Sequence, residues 1–310
     1  MLCVILNKMC RPNKNEITFL KTGSEQLIHE IASPLIAQFN DETPMYLDGT
    51  ATIIGKGYGI TASHVLEEFA KRSGVQSFKE GLNSINCSLR FYISVNKGKD
   101  LIPLTVLRAW KRPPSDITFF AFGAEPEINN SHKWKVPKIS LLPPKVGDNI
   151  FAFGFAESET LPNTDGIPTA NVKPRTTTGK VKEVYHLKRD DSRMPFPGFL
   201  TNARFDGGMS GGPVFNSSNG SLCGIISSSI PAYTPEEEHS SFVSTLWPMV
   251  NIQVDITKSN YFGGPNISVM DLLNRKEIIA SDIQYLVPMT DVNGDHGYVP
   301  NYDQNNWNSK

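Results

Sequence analysis

Asp206-Gly207-Gly208-Met209-Ser210-Gly211-Gly212-Pro213-Val214 is the stretch on which the reading of this chain turns. Glycines at this density let the backbone turn tightly and approach a ligand closely, so that main-chain N–H groups converge on one point while the hydroxyl of Ser210 stays exposed. An acyl-transfer nucleophile needs that arrangement. Glycine clusters also mark ordinary turns, so the inference requires a base and an orienting acid elsewhere. Gly59-Ile60-Thr61-Ala62-Ser63-His64-Val65 places a histidine directly after an apolar, β-branched run, where a strand ends. Asp116-Ile117-Thr118-Phe119-Phe120 sets a carboxylate at the head of an apolar strand, after the turn at Pro113-Pro114. Asp100 competes for the acid's role, but it lies beside Lys97, Gly98 and Lys99 in what reads as a solvated hairpin tip. His29, His132, His186, His239 and His296 have no motif around them and read as surface or packing residues.

With histidine, aspartate and serine in this order and these contexts, residues 30 to 250 resemble the chymotrypsin-like (trypsin-like) serine peptidases, and more closely the bacterial members than the animal digestive ones. The resemblance implies an all-β fold of two six-stranded antiparallel β-barrels, with a helix at the C-terminal end. It implies His64 as general base, Asp116 as its orienting partner and Ser210 as nucleophile, with the N–H groups of Gly208 and Ser210 as the oxyanion hole. Imidazole suits the base because its unperturbed pKa is about 6.5, and serine is a poor nucleophile until such a base accepts its proton. Gly224-Ile225-Ile226-Ser227-Ser228-Ser229 matches the strand that lies along the substrate backbone, which puts Ser227 beside Asp116 and makes Ser228 and Ser229 substrate contacts. Arg204 falls at the floor of the primary pocket, where an inward guanidinium favours an acidic side chain. A one-residue change of register would instead turn it to solvent. Met209 stands where animal trypsins carry the aspartate that receives a newly cleaved amino terminus, and a thioether cannot pair with ammonium. The expectation is therefore a serine endopeptidase that needs no cofactor and no such activation step. Its partners would be protein or peptide substrates, with a regulatory protein as a further partner. The alternative is a catalytically idle or partner-gated peptide-binding module of the same fold.

Composition narrows the partners further. The chain has 310 residues, 39% of them hydrophobic, and a formal net charge of −1, without the basic excess that announces nucleic acid or an anionic membrane surface. Met1-Leu2-Cys3-Val4-Ile5-Leu6 is apolar but too short for a signal core and has no basic region before it, and no run approaches the ~20 apolar residues of a membrane span. The expected location is cytoplasmic. Cys3, Cys10, Cys87 and Cys223 are few and scattered, with no metal-ligand spacing. Asp291-Val292-Asn293-Gly294-Asp295 begins like a calcium loop, but His296 takes the place of the required glycine and no glutamate closes it.

Short strands separated by turn signals dominate the chain. The expected organisation is an N-terminal extension over 1–29, a first barrel over 30–124, a linker over 125–138, a second barrel over 139–265, and a helix with a polar tail over 266–310. Hairpins are expected through Lys56-Gly57 and between 88–95 and 101–110, with a brief helix over 65–72. Residues 157–178 read as a surface loop. Val269, Leu272, Leu273, Lys276 and Ile279 fit an amphipathic helix packed on the second barrel, followed by a frayed end from Asn293.

Overall fold

The computed structural model describes residues 20–21, 27–38, 46–72, 74, 88–95, 100–124, 132–161, 169–230, 238–254, 267–290, 294 and 296–302. Most of the expected N-terminal extension, residues 125–131 of the expected linker, Cys3, Cys10, Cys87 and most of the calcium-loop-like segment lie outside them. After strand β1 (Leu20–Lys21), six strands close the first barrel: β2 (Ala32–Gln38), β3 (Tyr46–Gly55), β4 (Tyr58–Ala62), β5 (Ser88–Val95), β6 (Asp100–Lys111) and β7 (Ile117–Gly123), in the order β2-β3-β4-β7-β6-β5. The second barrel uses β8 (Asn149–Phe155) and, after the hairpin β9 (Glu159–Leu161) and β10 (Thr169–Asn171), β11 (Pro174–Tyr185), β12 (Gly198–Thr201), β13 (Pro213–Asn216), β14 (Leu222–Ile230) and β15 (Ser240–Ser244). Its order is β11-β12-β15-β14-β13-β8, closed by pairing of β8 with β11, and β1 adds to the free side of β11. All strand pairings within the two barrels are antiparallel, so the fold is an all-β double barrel.

Burial on both faces explains why β4 and β7 read as continuous apolar runs rather than alternating ones. All of Tyr58 to Ala62 and Ile117 to Phe122 are buried. Phe120 and Phe122 meet Phe91 edge-on, at ring centroids 5.8 and 5.3 Å apart, while Phe119 stacks on Tyr58 at 5.5 Å. Directly after β4, helix α1 (Ser63–Arg72) buries Val65, Leu66, Phe69 and Ala70 and leaves Lys71 and Arg72 in its last turn, where cations suit the helix dipole. Among the described residues no helix is long and apolar enough to cross a membrane.

Four expectations need correction. The segment 157–178 is not a plain loop: β9, β10 and the first half of β11 fall within it, and its prolines sit at Pro174, the head of a strand, and outside the described residues. The C-terminal helix is real but short. Helix α2 (Val269–Asn274) starts from a capping box between Ser268 and Asp271 and stops because Lys276 takes φ 61°, which leaves Ile279 outside the helix and 46% exposed. The chain beyond α2 packs on the first barrel as much as the second: Ile278 bridges to Gly55, and the carboxylate of Glu277 accepts from the Tyr58 hydroxyl at 3.5 Å. Ile139 runs parallel to both Ala280 and Leu222, which ties the connection between barrels to the chain's later part. Buried Asp282 secures this knot by accepting from the N–H groups of Leu141 (2.8 Å) and Leu142 (3.0 Å) and the hydroxyl of Ser140 (2.7 Å). Within the end expected to fray, β19 (His296–Pro300) instead pairs with β18 (Leu286–Thr290) in a hairpin, after the small pairing of β16 (Gln253–Val254) with β17 (Ile267–Ser268). The Asn251 amide holds that hairpin, donating to the Tyr298 carbonyl at 2.9 Å and accepting from its N–H at 2.7 Å.

Candidate active site

His64 is placed by the junction of β4 and α1, and Asp116 by the residue preceding β7, the strand paired beside β4. That adjacency brings together residues 52 positions apart. The Asp116 carboxylate accepts from the His64 backbone N–H at 3.1 Å through Oδ1 and meets His64 Nδ1 at 2.9 Å through Oδ2. A carboxylate only accepts, so Nδ1 carries the proton and Nε2 is left as the basic atom. Asp116 is buried whereas the imidazole keeps 48% of its side-chain surface exposed. Crowding around the ring disfavours its charged form, but the hydrogen bond and the negative charge of Asp116 outweigh this and raise the His64 pKa above that of an ordinary imidazole.

Ser227 is the meeting point of the two barrels. The register of β14 against β15 slips between Ile226 and Ser228, so Ser227 is the extra residue of a β-bulge. Released from the ladder, its hydroxyl donates to Asp116 Oδ2 at 2.5 Å, and its carbonyl accepts from Ser210 Oγ at 3.1 Å. The contact of Ser227 with Asp116 is the one the family resemblance implied. Among the described residues Ser210 Oγ is bonded to the Ser227 carbonyl and not to the imidazole.

The loop carrying Ser210 is shaped by Gly208 and Gly211, with φ of +89° and +85°. A Cβ on Gly208 would lie 2.5 Å from the Phe155 carbonyl oxygen, and one on Gly211 would lie 2.3 Å from that of Thr50, so both positions require glycine twice over. Residues 206–209 form a turn closed by the Met209 N–H on the Asp206 carbonyl at 3.1 Å. The Met209 side chain is fully buried in the second barrel's core with Ile150, Ala152 and Val214, and its sulfur receives the Asp206 N–H at 3.4 Å. Neither the Gly208 N–H nor the Ser210 N–H has an acceptor among the described residues, whereas Met209, Gly211 and Gly212 N–H are all bonded. Two free amides thus flank the hydroxyl.

Of the residues read as substrate contacts, Ser228 is exposed on β14, and Ser229 donates to the Phe205 carbonyl at 2.9 Å. Arg204 is tied back: its Nε donates to Asp206 Oδ1 at 2.8 Å. His239, for which the sequence offered no motif, lies near this pair. Partial burial and the charge of Arg204 lower its pKa, with Asp206 opposing. Among the described residues no group of three or more His, Cys, Asp or Glu side chains is placed to hold a metal ion.

A family described as a trypsin-like peptidase domain matches residues 49–225, the span from β3 to β14 that contains His64, Asp116 and Ser210. No curated protein matches the chain. Among solved structures, the crystal structure of Deg5 is similar at 15% identity and a TM-score of 0.46, over 75% of this chain and 90% of that one.

Proposed function

Since this chain belongs to the family of trypsin-like peptidase domains, we propose that it is a serine endopeptidase, with Ser210 as nucleophile, His64 as general base and Asp116 as its orienting carboxylate. The observation that carries the reading is the chain of contacts from His64 Nδ1 to Asp116 at 2.9 Å, from Asp116 to the Ser227 hydroxyl, and from the Ser227 carbonyl to the Ser210 hydroxyl at 3.1 Å, which leaves Nε2 as the proton acceptor and the Gly208 and Ser210 amides unbonded. Rotation about the Cα–Cβ bond of Ser210 takes Oγ from the Ser227 carbonyl toward Nε2. Oγ then attacks the scissile carbonyl as its proton passes to His64, and the developing oxyanion accepts from the N–H groups of Gly208 and Ser210. His64 returns the proton to the leaving amine, the acyl-enzyme remains on Ser210, and water activated by the same imidazole releases the acid. The substrate class is a peptide or protein, laid along β14 past Ser228 and Ser229. Arg204, neutralised by Asp206, gives little reason to prefer an acidic side chain. Burial of Met209 anchors the loop by apolar contact, so an ion pair with a freed amino terminus is not needed to shape it.

One observation favours a second reading, a binding module gated by a partner: the Ser210 hydroxyl rests on the Ser227 carbonyl. A fluorophosphonate probe separates the two. The peptidase reading expects covalent labelling of the wild type and none of Ser210→Ala. A folded wild type that stays unlabelled and leaves peptide amides intact defeats it in favour of the gated module.

A further inference from the structure

Resting on the peptidase reading, we propose that Thr50 is a positioning residue for the oxyanion hole: from the first barrel, its hydroxyl holds the Gly208 peptide so that the Gly208 and Ser210 amides stay turned toward substrate. Gly207 and Gly208 in succession have almost no conformational preference of their own. Rotation of the Gly207–Gly208 peptide unit would exchange the Gly208 N–H for the Gly207 carbonyl in the hole, and the Gly208–Met209 unit, which lies between the two hole amides, sets their relative direction, so the orientation of both must be imposed from outside. Three bonds impose it. The Met209 N–H closes the turn on the Asp206 carbonyl, the Glu157 N–H donates to the Gly207 carbonyl at 2.8 Å, and Thr50 Oγ1 donates to the Gly208 carbonyl at 3.1 Å. Two of these are main chain to main chain. Among the described residues Thr50 supplies the one side chain that engages these carbonyls.

Thr50 is built for fixed aim. It is fully buried on β3, its N–H donates to the Ser210 carbonyl at 2.8 Å, and its own carbonyl accepts from Thr61 Oγ1 at 2.9 Å. Its hydroxyl oxygen also accepts from the Phe155 N–H at 3.3 Å. A hydroxyl has a single proton, and with a donor already facing one lone pair that proton is left for Gly208. Thr52, two residues along the strand, repeats the theme by donating to the Gly211 carbonyl at 2.9 Å. The first barrel therefore grips the nucleophile loop of the second on both sides of Ser210.

The test compares Thr50→Val, Thr50→Ala and Thr50→Ser in the full chain, measuring kcat and KM on a peptide amide, affinity for a peptide aldehyde, and the melting midpoint. Valine keeps the shape and loses the donor. A misplaced hole costs about a hundredfold in rate. Thr50→Val and Thr50→Ala should lose kcat on that scale with KM within about twofold, since the interaction is realised only in the transition state. Affinity for the aldehyde should fall in parallel, the pH profile should keep its acid limb, and Thr50→Ser should restore most of the rate. Folded Val and Ala variants with kcat within about threefold of wild type would overturn the proposal. So would collapse of the melting midpoint in both, which would make Thr50 a purely structural residue, or failure of serine to rescue. A wild type without any amidase activity or probe labelling would strike the peptidase reading itself.

Discussion

The two halves of the site are held by different means. The half from the first barrel, His64 with Asp116, is fixed by side chains: a carboxylate at the head of a strand buried from Ile117 to Phe122 receives the imidazole, a backbone amide and the Ser227 hydroxyl. The half from the second barrel is fixed by backbone. Gly208 and Gly211 at positive φ, a turn closed on Asp206, and carbonyls engaged by Glu157 and Thr50 leave two amides free. A side-chain network loses function when a charge is changed. A backbone cradle loses it when a Cβ is added or a hydroxyl removed, with every charge left in place.

This contrast can be broken from each side. The largest effect should come from Asp116→Asn, which removes the charge and disturbs the tautomer: kcat/KM should fall by about ten-thousandfold. Without the carboxylate that raises it, the His64 pKa should drop. The base must be neutral to work, so activity is lost as pH falls through that pKa, and the residual acid limb should move to lower pH in a pH–rate profile. Next comes Gly208→Ala, whose Cβ would press on the Phe155 carbonyl oxygen at 2.5 Å. The loss should be about a hundred- to a thousandfold in kcat, the cost of one missing oxyanion donor, with the acid limb where the wild type has it. The smallest is Ser227→Ala, which takes one donor from Asp116 Oδ2 and should lower kcat/KM by about tenfold. A carboxylate with fewer donors attracts the imidazolium more, so this limb should move to higher pH, opposite in sign to Asp116→Asn.

The same contrast explains what could be read from the sequence. His64, Asp116 and Ser210 each sit in a local context, a strand end or a glycine-rich turn, that the chemistry itself demands; short apolar runs between turn residues gave the strands, and the resemblance implied their closure into two six-stranded barrels. Ser227 could be placed beside Asp116 only through the resemblance, because the bulge that turns it there depends on its pairing with β15. Thr50 and Glu157 gave no signal: a threonine in a strand and a glutamate in a polar stretch are ordinary until tertiary folding sets them against Gly208 and Gly207. His239 is a further case, silent in sequence and near Arg204 in space. The C-terminal region misled for another reason. Val269, Leu272, Leu273, Lys276 and Ile279 keep helical spacing, but Ile278 is the residue buried against the first barrel, and positive φ at Lys276 breaks the period between them. Hydrophobic spacing over two or three turns does not reveal where a helix stops.

The seam formed by Tyr58 with Glu277 and Gly55 with Ile278 joins positions at least 219 residues apart. Contacts so distant along the polymer reward folding only after a long loop has closed, and chains rich in them fold slowly. The local hairpins of the first barrel are therefore expected to form before this seam, which closes only when the segment after helix α2 reaches back to Gly55 and Tyr58.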